Sequence, residues 1–153
     1  MPTESITFDE KMRAINCAIS ETSSVYHDVA QILEISDSEL SILYVLRGFG
    51  DNMKLKEVIR LSGLCKQTVN SAVRKMENSG TILLIPENGK NKVVALTEKG
   101  KQLAEKTADK VIKLERLVFS GWTKKDLDDY VRLSEKYLHE FKNKIETTNC
   151  KEL

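Results

Sequence analysis

The stretch Lys56-Glu57-Val58-Ile59-Arg60-Leu61-Ser62-Gly63-Leu64-Cys65-Lys66-Gln67-Thr68-Val69-Asn70-Ser71-Ala72-Val73-Arg74-Lys75-Met76-Glu77-Asn78-Ser79-Gly80 decides the fold. It reads as two short helices in close succession, residues 56–61 and residues 66–78. Gly63 can take the left-handed backbone that ends a helix and lets the chain turn sharply. Helix, tight turn, helix is the helix-turn-helix pattern. In the second helix Val69, Ala72, Val73 and Met76 fall on one face and should pack inward. The opposite face presents Gln67, Asn70, Ser71 and Arg74, with Lys66 and Thr68 near its N-terminal end. No acid appears before Glu77, whereas an ordinary solvated face mixes in Glu and Asp. Asn and Gln can bond adenine bidentately, Arg can do so with guanine, and Ser or Thr can reach phosphate or base edges. Such a face suits double-stranded DNA.

Downstream the period changes. Ile82-Leu83-Leu84-Ile85 and Val93-Val94-Ala95-Leu96 are β-prone apolar runs, separated by Pro86-Glu87-Asn88-Gly89-Lys90-Asn91-Lys92. A polar Asn-Gly loop between two such runs signals a hairpin. With Asn88, Lys90, Asn91 and Lys92 in it, this loop makes a basic wing beside the helix pair. Thr97 then caps a further helix, which is expected to run unbroken to about Val118.

Upstream, residues 8–34 carry Phe8, Met12, Ile15, Ile19, Tyr26, Val29 and Leu33 at helical spacing. Ser36, with Glu39 three residues on, restarts a helix that ends near Gly48 and Gly50. At the far end Thr123 and Asp126 form a capping signature. Behind it Leu127, Val131, Ser134, Leu138, Phe141 and Ile145 alternate steps of 4 and 3. Both terminal stripes exceed what one small lobe can cover. Phe8, Met12, Ile15, Leu127, Val131, Leu138, Phe141 and Ile145 are therefore the expected dimerisation residues. The fold class that follows is mainly α with a small β-hairpin wing. The organisation is an N-terminal dimerisation helix (1–34), a winged helix-turn-helix lobe (35–100) and C-terminal dimerisation helices (101–153).

The 153 residues carry a formal charge of only +1, but the charge is segregated. Residues 1–50 hold 3 basic and 8 acidic side chains, residues 51–101 hold 10 and 5, and residues 102–153 hold 11 and 10. The helix pair and wing thus form a basic island, as attraction to phosphates requires. Seven Gly and two Pro argue against an all-β fold. No apolar run approaches the roughly 18–20 residues that span a bilayer. The start, MPTESITFDEKMRA, is too acidic and polar for a signal peptide. Cys17, Cys65 and Cys150 are odd in number and lack CxxC spacing, which suits a reducing cytoplasm. His27 and His139 are far apart with no ligand at metal-site spacing. With no phosphate loop and no hydrolase motif, no catalytic residue, cofactor or metal is expected.

Gly63-Leu64-Cys65-Lys66-Gln67-Thr68-Val69-Asn70-Ser71, then Met76-Glu77-Asn78-Ser79-Gly80, then Ala95-Leu96-Thr97-Glu98-Lys99-Gly100, in that order and spacing, resemble the MarR family of multiple-antibiotic-resistance regulators. The order of elements matches from residue 8 to about 146. The resemblance implies a ligand- or signal-responsive repressor that binds a palindromic operator as a homodimer, its first and last helices interdigitating. The second helix of the motif would enter the major groove and the wing tip the adjacent minor groove. A small amphipathic or phenolic effector is implied too, acting through a hinge-like junction at residues 97–100. Two family wing residues, an Asp and an Arg, are replaced by Asn88 and Lys90, which puts the wing's bracing and its minor-groove insertion in doubt. Cys65 stands where the family often has a capping Ser. Two other readings remain open. One is redox sensing through Cys17, or through Cys65 at a helix N-terminus beside Lys66. The other is a winged-helix module that works through protein contacts without DNA.

Overall fold

The computed structural model describes residues 6–149 and 151; Cys150 and the first five residues of the polar start lie outside them. The elements follow in the order α1 (Phe8–Ile32), α2 (Asp37–Phe49), β1 (Asn52–Lys54), α3 (Leu55–Ser62), α4 (Lys66–Asn78), β2 (Ile82–Pro86), β3 (Lys92–Leu96), α5 (Glu98–Lys106), α6 (Ala108–Ser120) and α7 (Lys124–Thr147). This is the mainly helical, winged architecture expected. The chain divides into two compact units, Met1–Ile112 and Lys113–Leu153.

In the first unit, local chemistry sets the helix ends. Thr7 and Glu10 form a reciprocal capping box at α1. The Ser36 hydroxyl accepts the Glu39 N–H at the start of α2. Gly63, at φ +68°, closes α3 in the left-handed region. The apolar faces of these helices meet around Leu43, Leu46, Val58, Val69, Val73, Met76, Ile82 and Val94, all fully buried or nearly so. Each such side chain contributes about 1.5–3 kcal/mol of transfer free energy. Strand β3 is the middle of a three-stranded antiparallel sheet ordered β1-β3-β2, with Met53 and Leu84 both opposite Val94. The hairpin was legible from the sequence, but β1 was not. Its three residues alternate polar, apolar, polar over too short a span to stand out.

Two expectations for residues 97–118 need correction. The single helix is two, because the backbone at Thr107 leaves helical geometry (φ −128°, ψ −87°). The Thr107 hydroxyl instead donates to the Leu103 carbonyl at 2.7 Å, and the residue is buried. Residues 97–100, expected to be hinge-like, are pinned. Thr97 Oγ1 lies 2.7 Å from the Gly80 carbonyl and accepts the Gly100 N–H at 3.0 Å, while Lys99 Nζ reaches the Ser79 carbonyl at 2.6 Å. Gly100 is required by approach. A Cβ built there would lie 1.9 Å from the Thr81 carbonyl oxygen.

A charged tie in the same unit had no sequence signature. Arg47 donates to both carboxylate oxygens of Asp109, at 2.8 and 2.7 Å, and to Asp51 at 2.9 Å. Asp109, then Asp51, raises the guanidinium pKa above its ordinary value. This fork fixes α2 to the start of α6 across 62 residues.

In the second unit, Thr123 and Asp126 form the expected capping box of α7. Trp122 meets Phe119 and Tyr130 edge-on at the turn between α6 and α7, with centroids 5.2 and 5.4 Å apart. No residue of α7 is buried.

Candidate nucleic-acid interface

Helix α4 divides as its sequence pattern predicts. Val69, Ala72, Val73 and Met76 are buried, while Lys66, Gln67, Thr68, Ser71 and Arg74 are exposed. Asn70 is half-buried. The exposed side is a shallow groove lined by Gln67, Asn70, Ser71, Arg74, Lys75 and Asn78. Six side chains that donate or accept hydrogen bonds, two of them cations, thus form one acid-free strip along the helix.

Lys75 and Asn78 were not among the expected site residues. Lys75 Nζ lies 3.0 Å from a carboxylate oxygen of Glu39, so its charge already has a partner. Burial pushes the Glu39 carboxyl up, but the Ser36 hydroxyl and Lys75 outweigh it and hold the group below its ordinary range. Arg74 has no such neighbour on the groove wall.

The wing is a short turn closed by Glu87 N–H donating to the Asn91 carbonyl at 2.8 Å, with Gly89 at φ +67°. Asn88, Lys90, Asn91 and Lys92 are all exposed on it. Its base is tied back by an ion pair between Lys54 and Glu87 at 3.3 Å. That bracing comes from the last residue of β1.

Lys54 and Lys56, which motif reading missed, join the wing and α4 around one cleft of about 160 Å3. The only sequence signal for them was membership of the basic island, because their convergence depends on the unrecognised β1.

Cys65 is exposed at the N-cap of α4. Its thiol lies 3.0 Å from the Thr68 hydroxyl, which lowers its pKa; the first-turn N–H groups of Thr68 and Gln67 add to this. Cys17 is exposed on α1. His27 and Asp37 sit 2.7 Å apart in an exposed contact, and His139 contacts Asn143. Among the described residues no three His, Cys, Asp or Glu side chains cluster as a metal site would need. No helix among them is long and apolar enough to cross a membrane.

The expected dimerisation residues remain in contact with solvent. Phe8 is 78% exposed, and Met12, Ile15, Val131, Leu138, Phe141 and Ile145 are each about half exposed. Leu127 is half-buried.

No protein-family model and no curated protein matches the sequence. Solved structures do match. AbsC, a MarR-family transcriptional regulator of Streptomyces coelicolor, superposes with a TM-score of 0.69 at 18% identity, covering 92% of this chain and 99% of its own. A second MarR-family regulator of Streptomyces coelicolor, solved in complex with DNA, gives 0.66 at 14% identity, covering 90% of both chains. BpsR of Bordetella bronchiseptica, whose DNA binding is regulated by 6-hydroxynicotinic acid, gives 0.61 at 16% identity, covering 80% of this chain and 97% of its own. At these identities the likeness establishes the fold: the chain has the MarR-type winged-helix architecture over most of its length.

Proposed function

We propose that this protein is a sequence-specific, DNA-binding transcriptional regulator that works in the cytoplasm as a homodimer on a palindromic operator. The observation that carries the reading is the acid-free strip of α4, with Gln67, Asn70, Ser71 and Arg74 directed outward over a buried apolar face. Hydrogen-bonding side chains on a rigid helix of 13 residues suit base edges in the major groove. Lys90 and Lys92 on the wing supply charge for the backbone or the minor groove. Residues 35–100 form the DNA-binding lobe. Residues 1–34 and 101–153 form the dimer layer, which would cover the exposed stripes of α1 and α7. A small aromatic acid or phenol is the proposed effector, by analogy with the compound that regulates BpsR. It would act only by preferring one spacing of the two lobes.

The lowered pKa of Cys65 favours a second input. Modification of the exposed Cys65 thiol at the start of α4 would add bulk where the helix approaches DNA.

The test is selection of bound sequences from a pool of random duplex DNA. An enriched inverted repeat with half-site centres about 10 base pairs apart is the expected result. A folded protein that enriches no sequence would overturn the reading.

A further inference from the structure

Five lysines distributed over 39 residues of sequence converge on one small cleft. Lys54 and Lys56 come from the start of α3, Lys66 from the start of α4, and Lys90 and Lys92 from the wing, with half-buried Asn70 beside them. No carboxylate lines the cleft. One of the five lysines, Lys54, is already paired, with Glu87 at 3.3 Å, and Glu57, beside Lys56 in sequence, is held by Arg60 at 2.7 Å. Gathering like charges raises the energy of the empty protein, and an entering anion relieves it.

Neither helix that starts at this cleft has an N-cap side chain that offers an oxygen acceptor. Lys54 stands at the N-cap of α3 and makes no capping hydrogen bond, whereas at the start of α4 the weakly accepting thiol of Cys65 faces the first-turn N–H groups of Thr68 and Gln67. The starts of α1, α2, α5 and α7 are capped by Thr7, Ser36, Thr97 and Thr123. Two helix ends, one uncapped and one capped only by a thiol, therefore bring the positive ends of their dipoles to the same lysines.

We propose that this cleft is a phosphate site, built to hold more than one phosphoryl oxyanion at a time. A cleft of about 160 Å3 has room for a diphosphate group. The same chemistry is presented by successive phosphates of a DNA strand and by a free diphosphate. The DNA source rests on the function proposed above; the free source does not. A free diphosphate in the cleft would compete with DNA for Lys66 and the wing.

The experiment is calorimetric titration of the intact protein with inorganic pyrophosphate at fixed ionic strength. It is repeated on Lys56→Gln/Lys66→Gln and on the charge-matched control Lys124→Gln/Lys125→Gln, each checked for an unchanged melting curve. The expected result is saturable binding, one pyrophosphate per chain, weakened at least tenfold in the first variant and unchanged in the control. In a second arm pyrophosphate should displace bound duplex DNA more effectively than chloride at the same ionic strength. Absence of saturable binding, or equal weakening in both variants, overturns the proposal even when DNA still binds. Saturable, cleft-dependent pyrophosphate binding by a protein that fails to bind any duplex supports the phosphate site with a free diphosphate as its source, and removes the operator reading alone.

Discussion

The winged lobe and helix α7 are equally well specified locally, yet they end in opposite states of burial. In the lobe, Val58, Val69, Val73, Met76, Ile82 and Val94 are 0–1% exposed. Helix α7 has a full capping box, ion pairs joining Lys124 to Asp128 and Lys125 to Asp129, and a stacked Tyr137–Phe141 pair. Even so, Val131, Leu138, Phe141 and Ile145 stay about half exposed. Helix propensity and i,i+4 pairs contribute only tenths of a kcal/mol each. A helix of 24 residues with an apolar stripe is normally stabilised by covering that stripe. The lobe has its core within one chain. We read the stripe of α7 as half of a core that a second copy completes.

Breaking that second core should have the largest effect. Leu138→Glu with Phe141→Glu is expected to convert a dimer to monomers and to abolish operator binding, while leaving the lobe folded. Sedimentation equilibrium and amide exchange of the lobe residues would check both halves. A charged double variant that stays dimeric would show that the stripe is covered in some other way.

Within the lobe, Gly100→Ala should destabilise by about 3 kcal/mol, because a Cβ 1.9 Å from the Thr81 carbonyl forces α5 away from the end of α4. Gly48→Ala, with nothing within 4 Å, should be neutral or stabilising by about 0.5 kcal/mol. Urea denaturation of the two variants makes the comparison. Equal stabilities would mean that the junction at Thr97 yields.

These contrasts also show how much was legible beforehand. Helix α4 was readable to the residue because Cys65, Gly80 and the spacing of Val69, Val73 and Met76 are all local signals. Four residues of its outward strip, Gln67, Asn70, Ser71 and Arg74, were readable for the same reason, whereas Lys75 and Asn78 were missed. Three features depend on pairs distant in sequence. Strand β1 exists because Met53 lies opposite Val94. The Arg47–Asp109 fork and the convergence of Lys54 with Lys90 likewise join residues that no periodic pattern links. Gly100 was read as part of a hinge-like junction, and only packing reveals that its missing side chain makes room for a carbonyl.

A smaller effect concerns acid. The Glu39 carboxyl is held below its ordinary value of 4.5, with Ser36 and Lys75 outweighing burial. A depressed folded-state pKa contributes stability that is complete above about pH 4.5 and is lost as pH falls through the folded value. Glu39→Gln should therefore flatten the acid side of the stability profile and cost most above pH 5. Thermal melts between pH 3 and 7 would reveal it. A uniform loss at every pH would show that the contact is structural without being titratable.

In the proposed division of labour, α4 reads sequence while the wing holds charge. This division is tested most directly by titrating salt against affinity for selected operator and scrambled duplexes. The proteins compared are the wild type, Arg74→Ala and Lys90→Ala/Lys92→Ala. Arg74→Ala is predicted to lose about 1–3 kcal/mol on the operator and much less on scrambled DNA. The wing variant should weaken on both, with the slope of log affinity against log salt flattened by about one per lost phosphate contact. An Arg74→Ala protein that keeps its full preference for the operator, while the wing variant loses that preference, would contradict the assignment.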